Sequence, residues 1–424
     1  MVYKLHTWLI LVVWVLVAAP LQAQDLTLEQ CYSLAGENYP LIKRYDLVKT
    51  TSQYSLENAG KVYLPQLSFS GAATYQSDVV QFPNILPPGA NVKLPVFSKD
   101  QYKIVGEVSQ TIYDGSAAHY RKENIRANEE ADKQNVTVNM YAIRDRINQL
   151  YFSVLLMDEQ LKQNALRISD LNNAIEKVSA SLRNGTAYRS NVDELKAEMS
   201  TARSQDITFK ANRSAYMKML GIFIGKELPE NTQLQMPVEQ PISAEIHRPE
   251  LDWYKNRRKV MDTEEKQLKA DYLPKFSAFF QGAYGRPTLN FLDNSFGPWY
   301  MTGLRMNWNL GSLYGLKNNK RILENNRKSI TVEEETFLFN TRLSLAQEDG
   351  DMRKYRAIIV EDEEAIALRA SVKQSAKAQL DNGVITVHDY IAQLNAENLA
   401  KQALILHKLQ LLQASYQHKF TSGN

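Results

Sequence analysis

Apolar residues along this chain recur with two different periods. From Leu67 to Tyr75, Leu67, Phe69, Gly71, Ala73 and Tyr75 alternate with Ser68, Ser70, Ala72 and Thr74. Alternation at period two marks a strand with one apolar face and one small polar face. The same pattern recurs in "YKIVGEVSQTIYDG", "LPKFSAFFQGAYG" and "WYMTGLRMNWNLG", which predicts strands at about 66–76, 102–113, 275–285 and 299–310. Between them the period changes. Ile143, Ile147, Leu150, Val154, Met157 and Leu161 recur at steps of 4, 3, 4, 3, 4. From residue 116 to 184 there is neither proline nor glycine. One helix over that stretch would be about 100 Å long at about 1.5 Å per residue. Its apolar seam is narrow, and the rest of its surface is charged or amide-bearing, as in a coiled coil. A second long helix is predicted over about 316–382, with only Gly350 inside it.

The plan is written twice. "YLP" opens a strand at Pro65 and again at Pro274. "LRNGTAYRSNVDELKAE" and "LDNGVITVHDYIAQLNAE" each close a long helix, turn at Asn184-Gly185 or Asn382-Gly383, and start a returning helix. The first returning helix is expected from about Asn191 to Leu220, ended by Gly221 and Gly225. Each half reads helix, strand, loop, strand, very long helix, turn, helix, which is an internal duplication. The expected organisation is a first repeat over 24–225, a connector over 226–248 that carries Pro229, Pro237 and Pro241, and a second repeat over 249–424.

Residues 1–23 read as an export signal. Lys4 and His6 precede a 12-residue apolar core, residues 8–19, too short for a membrane-spanning helix. No later run approaches 18 apolar residues, which excludes a bundle of membrane helices but not a β-barrel, whose strands need only about 9–11 residues. Charge is nearly balanced, with 50 Lys and Arg against 47 Asp and Glu, so a nucleic-acid partner is not expected. Cys31 is the single cysteine. It falls on one helical face with Leu28 and Leu34 and reads as a buried thiol. The six histidines form no metal-ligand spacing, no catalytic constellation is visible, and the glycines make no phosphate loop. Neither an enzyme nor a cofactor or metal site is expected.

A strand pair alone can neither bury its apolar face nor close its edges. Thin-striped long helices offer no core to cover it. The lipid reading turns the apolar face outward and the polar face, with Glu107, Arg305, Asn307 and Asn309, toward a water-filled lumen. Backbone groups are then satisfied only if the sheet closes, and four strands cannot close around a pore, so several copies must contribute. Arg305 also has a plain reading, as an aqueous salt-bridge residue. The rival class is a periplasmic coiled-coil scaffold or adaptor without a pore.

The post-signal "LTLEQCYSLAGENYPLI", the openings "YLPQLSFSG" and "YLPKFSAFF", "SQTIYDG" before the first long helix, and the duplicated turns ending in "DELKAE" and "IAQLNAE" together resemble the TolC family of bacterial outer-membrane efflux channels. The resemblance covers essentially all of the mature chain. It implies a membrane β-barrel joined to a long α-helical barrel. In this arrangement a homotrimer gives four strands per chain to a 12-stranded barrel, continuous with a periplasmic helical tunnel in a Gram-negative bacterium. It further implies the exit duct of a tripartite efflux pump or type I secretion system: a passive conduit for small molecules or polypeptides, working with a periplasmic adaptor and an inner-membrane transporter. The loops Asp78–Asp100 and Gly285–Pro298 would face outside, the Asn-Gly turns would lie at the periplasmic tip, and the connector would join a collar. Asp389 lies six residues after Gly383, where the resemblance places a constricting aspartate. Its local alternative is a carboxylate favourable at a helix start. The position three residues on is Ala392, so a second acidic ring is not implied.

Overall fold

Glycine in the left-handed region turns both long helices around. The computed structural model describes residues 26–81, 97–241, 243, 245–290 and 292–424. The expected export signal, and most of the loop between the first two strands, lie outside the described residues. In chain order the elements are α1 (Leu28–Asn38), α2 (Arg44–Gly60), β1 (Gln66–Tyr75), β2 (Asp100–Tyr113), α3 (Ala117–Tyr141) and α4 (Ile143–Arg183). There follow α5 (Arg189–Ile224), α6 (Pro249–Ala270), β3 (Lys275–Arg286), β4 (Gly297–Asn307), α7 (Leu313–Asp381) and α8 (Val387–Ser422). Among the described residues no helix is apolar enough to cross a membrane.

Three expectations change. The single helix over 116–184 is two, interrupted at Ala142, whose backbone stays in the right-handed helical region (φ −59°, ψ −20°). Gly221 does not end α5; it lies inside the helix, which stops at Gly225 with φ +68°. β4 ends at Asn307, and Leu310 belongs to a short 3₁₀ turn.

Two compact units make up the chain. The first comprises, of the described residues, those in 26–44, 136–251 and 335–424. Its larger core gathers Leu28 and Cys31 from α1, Ile147, Tyr151 and Val154 from α4, Leu220 and Ile224 from α5, and Leu409 and Tyr416 from α8. Burial pushes the Cys31 thiol up to about 12, which keeps it protonated and inert. Part of the connector is pinned here: Leu26 forms a parallel bridge with Leu234, and the Tyr151 hydroxyl lies 2.7 Å from the carbonyls of Leu26 and Gln235. The second unit comprises residues 45–135 and 252–334. There α6 is laced to its neighbours by charge: Arg327 reaches Asp262 (2.7 Å) and Glu265, Lys266 reaches Glu123 (3.1 Å), and Arg257 and Arg258 meet Glu333 and Glu334.

One acid of the first unit sits where its charge is unwelcome. Glu348 on α7 accepts from the Thr421 hydroxyl at 2.7 Å. Burial, with Asp349 and Asp351 adding to it, raises its carboxyl to about 7. A raised folded-state value means the folded chain holds a proton that the unfolded chain has released. This contribution to stability is full below about pH 4.5, the ordinary value, and is lost as pH rises to about 7. His418 is 3.5 Å from Asp349, and burial holds it below its usual value. It therefore acts with the opposite sign, losing stability as pH falls below its ordinary value. Glu348→Gln should flatten the acid's contribution. Urea midpoints of the variant should exceed wild type at pH 8 and converge with it at pH 4.5. An equal offset at both pH values would contradict this.

Candidate functional site

The four strands form one antiparallel sheet in the order β1-β2-β3-β4. Register fixes which side chains share a face. Leu67 pairs with Val108, Val108 with Phe280, and Phe280 with Thr302; one step along, Phe69, Gly106, Gly282 and Tyr300 form a row. This face is apolar, and nothing among the described residues covers it: Phe69 is 75% exposed, Ile104 66%, Tyr300 70% and Leu304 78%. Phe280 stacks on Tyr300 with centroids 6.1 Å apart, and Phe69 lies over the space beside Gly106. Among the described residues, β1 and β4 each pair on one side only, so both outer edges keep free backbone donors and acceptors.

The opposite face carries the polar and charged residues, with Val105, Phe279, Trp299 and Met301 among them. Its rows read Ser68, Glu107, Gln281, Met301 and, nearer the helices, Thr111, Ser277, Arg305. Arg305 Nη1 donates to Glu107 Oε1 at 3.1 Å, Gln281 donates to the other Glu107 oxygen, and the guanidinium rests 4.6 Å from the Phe279 ring centre. Asn307 pairs with Lys275 at the end of the sheet. The structure thus brings Glu107, Arg305 and Asn307 onto one face. Asn309 is not on the strand; its carbonyl accepts from the Ser312 hydroxyl at 2.6 Å in the turn that starts α7.

Strand passes to helix through a strained corner. Gly115 (φ +74°) and Ser116 (φ +66°) both adopt the left-handed region. A Cβ at Gly115 would come within 2.9 Å of the Ala270 carbonyl oxygen and of Leu273 Cβ, so only glycine fits. Buried Asp114 locks the corner: one carboxylate oxygen accepts from the Tyr63 hydroxyl (2.8 Å), the other from the Ala118 amide (2.7 Å) at the start of α3. The matching passage at Gly311 needs no positive φ.

In the first unit, two hairpin turns are built alike. Gly185 (φ +76°) and Gly383 (φ +73°) follow Asn184 and Asn382. Thr186 donates its amide to Ser181 and Val384 to Gln379, at 2.9 and 2.8 Å, while Gly185 and Gly383 donate to Leu182 and Leu380. Each is the helix-ending motif that satisfies two orphan carbonyls through a left-handed residue. The returning helices start by side-chain capping. Asn191 accepts from the Tyr188 amide at 3.0 Å. Asp389 accepts from the Thr386 amide (3.0 Å) and hydroxyl (2.6 Å), while Thr386 Oγ1 accepts from the Asp389 amide. This reciprocal box holds the exposed Asp389 carboxyl below its usual range, chiefly through the Thr386 hydrogen bonds.

The two hairpins pack on each other through Leu171, Val178, Val192 and Leu195 on one side and Val387, Tyr390 and Leu394 on the other. Charged links cross the seam: Lys177 to Asp381 (2.9 Å), His388 to Glu194 (2.8 Å), and Lys373 to Asp170 (3.0 Å), with Lys373 also reaching Glu397 (2.6 Å) of its own hairpin. Deeper, Arg167 is only 7% exposed and joins Glu198, Gln205 and Asn395 from two helices. Periodicity of apolar residues passes over it, because the buried line is Asn164, Arg167, Leu171, Ala174, Val178. Its first two members are polar. A 3-4 spacing that included polar residues would have found them.

Among the described residues no group of three or more metal-ligating side chains comes together. No protein-family model matches the chain, and no curated protein matches it. Solved structures do match over nearly the whole length. CusC superposes with a TM-score of 0.68 at 14% identity, over 94% of this chain and 92% of that one. The outer-membrane protein VceC of Vibrio cholerae gives 0.64 at 13%, over 93% and 96%. The MtrE outer-membrane channel of Neisseria gonorrhoeae, in its open state, gives 0.64 at 12%, over 94% and 89%. The fold is therefore that of outer-membrane channels. At such identities it is the fold of the single chain that is shared: long helices with one four-stranded antiparallel sheet, as the sequence's resemblance to the TolC family implies for each chain.

Proposed function

We propose that this chain is one stave of an outer-membrane exit duct in a Gram-negative bacterium. Three copies would close a 12-stranded barrel from four strands each, and their long helices would continue it as a periplasmic tunnel. The observation that carries this reading is the four-stranded sheet, with an uncovered apolar face, a polar face and two unpaired edges. In water such a sheet is an aggregation hazard. In a bilayer, closed edge to edge with sister chains, every element of it is satisfied. The ten residues of β1, tilted as barrel strands are, span roughly the 25 Å apolar band of an outer-membrane barrel. In this reading the chain is not an enzyme. It serves a tripartite pump or type I secretion system as a passive conduit, with a periplasmic adaptor and an inner-membrane transporter as partners. Residues 1–23 direct export, the repeats 24–225 and 249–424 supply equal shares of the wall, and 226–248 joins a collar. Substrate choice is expected to rest mostly with the transporter.

Membrane fractionation tests this. The protein should sediment with outer membranes and run as a heat-modifiable trimer after detergent extraction. A monomer that stays soluble without detergent would instead identify the pore-free scaffold.

The Asn-Gly turns are then the periplasmic tip, and Asp389, repeated three times, would ring its opening. A ring of carboxylates attracts cations and repels anions. Asp389→Asn leaves an oxygen for the Thr386 amide but removes the charge. It should lower cation preference in single-channel recordings with little change in stability, whereas Asp389→Ala should also weaken the start of α8 by removing the acceptor of the Thr386 amide. Unchanged selectivity in both variants would reduce Asp389 to a helix cap.

A further inference from the structure

The polar face of the sheet carries an unbalanced charge, and its arrangement is informative. Across the four strands that face holds Lys103, Lys275 and Arg305 against the single anion Glu107, a net +2 per chain. Asp100 and Arg286 lie on the apolar side, where they pair with each other. Glu107 is already engaged by Arg305 and Gln281. Among the described residues no carboxylate lies within ion-pairing distance of Lys103 or Lys275. Lys103 stands in a row whose other members, Ala72, Gly285 and Gly297, are too small to cover it. Lys275 starts β3, beside Asn307. On β3, Lys275 and the Gly285 that pairs with Lys103 are ten residues apart, about 33 Å along the strand. The two free cations thus stand near opposite ends of the sheet, with a neutralised pair between them.

We infer that the β-section is an anion-attracting stretch. It would consist of two rings of uncompensated lysine, one at each end of the barrel, which favour anionic solutes over cationic ones at this stage of transit. The inference rests on the proposal that the polar face lines the lumen. It predicts the opposite preference from the acidic tip, so the charge filter changes sign along the duct. In a lumen walled by low-dielectric protein, like charges raise the local concentration of the oppositely charged solute. The effect fades once the screening length, about 10 Å at 0.1 M salt, falls to about 3 Å at 1 M.

Local thiol chemistry reads this without depending on the state of the tip. Cys31 is wholly buried, so a cysteine placed on the polar face reports alone. Ser70→Cys, near Lys103, and Ser277→Cys, near Lys275, would be labelled in detergent-extracted trimers at about 0.1 M salt. The probes are anionic sulfonatoethyl methanethiosulfonate and cationic trimethylammonioethyl methanethiosulfonate, each normalised to its rate with a free thiol. The anionic reagent should be favoured by about twofold or more. Lys103→Gln should erase the preference at residue 70, and Lys275→Gln should erase it at residue 277. Glu107→Gln should increase it, and 1 M salt should abolish it. A cationic preference, or a ratio that the lysine variants leave unchanged, would overturn the inference while the duct stands. Cysteines that neither reagent reaches would mean that the polar face lines no water, and would overturn the duct reading and this inference together.

Discussion

Phe69→Arg should abolish assembly in the outer membrane, whereas Ser70→Arg, one residue away, should be tolerated. The two positions are neighbours in sequence and lie on opposite faces of β1. Phe69 is central in the strand and exposed on the uncovered apolar side. If that side meets lipid, an arginine there costs about 2–4 kcal/mol near the bilayer midplane, and a trimer incurs it three times. Ser70 points to the polar face, opposite Val105, where a long cation can stay hydrated. The measurement is the yield of heat-modifiable trimer in outer membranes, with total expression as reference. Equal yields from the two variants would remove the distinction between the faces, and with it the basis for placing this sheet in a membrane.

Arg167→Ala should loosen the paired hairpins more than any change of an exposed ion pair. The guanidinium is almost fully buried and ties Glu198 and Gln205 of α5 to Asn395 of α8. Removing one partner of a buried pair leaves the other desolvated, at about 3–5 kcal/mol. Lys177→Ala, which breaks the exposed link to Asp381, should cost at most about 1 kcal/mol. Urea unfolding followed by circular dichroism would rank the two. Pairing Arg167→Met with Glu198→Gln should recover much of the loss, since the orphaned charge is then gone as well. If Arg167→Ala matched Lys177→Ala, the buried network would have no structural weight.

Much of this architecture was legible in the residues, because the features that encode it are local. Alternation at period two places Leu67 to Tyr75 and Phe276 to Tyr284 on one face without reference to any partner. Asn-Gly after a long helix announces a left-handed stop, and both such stops are present. What escaped is non-local or polar. Gly221 carried a breaker's signal, but α5 continues through it and uses Gly225 instead. The hairpin seam runs through Asn164 and Arg167, which a search for apolar residues passes over. Asp389 was legible as a helix-start carboxylate, and the box with Thr386 is seen. The constriction role proposed for it would be made by sister chains and is not written in one chain's geometry. The order of the strands was equally hidden, since alternation says which way a side chain points and not which strand lies beside it.

That order sets a schedule for biogenesis. The central ladder joins β2 to β3, and about 160 residues separate them in sequence, against about 24 between β1 and β2. Loop-closure entropy rises only slowly with length, so the longer closure costs roughly 2 kcal/mol more. The delay matters more than this difference. A ribosome releases the first two strands long before their partner exists, and the edge of β2 must be kept from other chains until the second repeat has been made and exported. The first half alone should therefore be a poor folding unit, dependent on periplasmic holding factors if the proposed export holds, and the duplicated gene product gains its four-stranded sheet only once both copies of the plan are present.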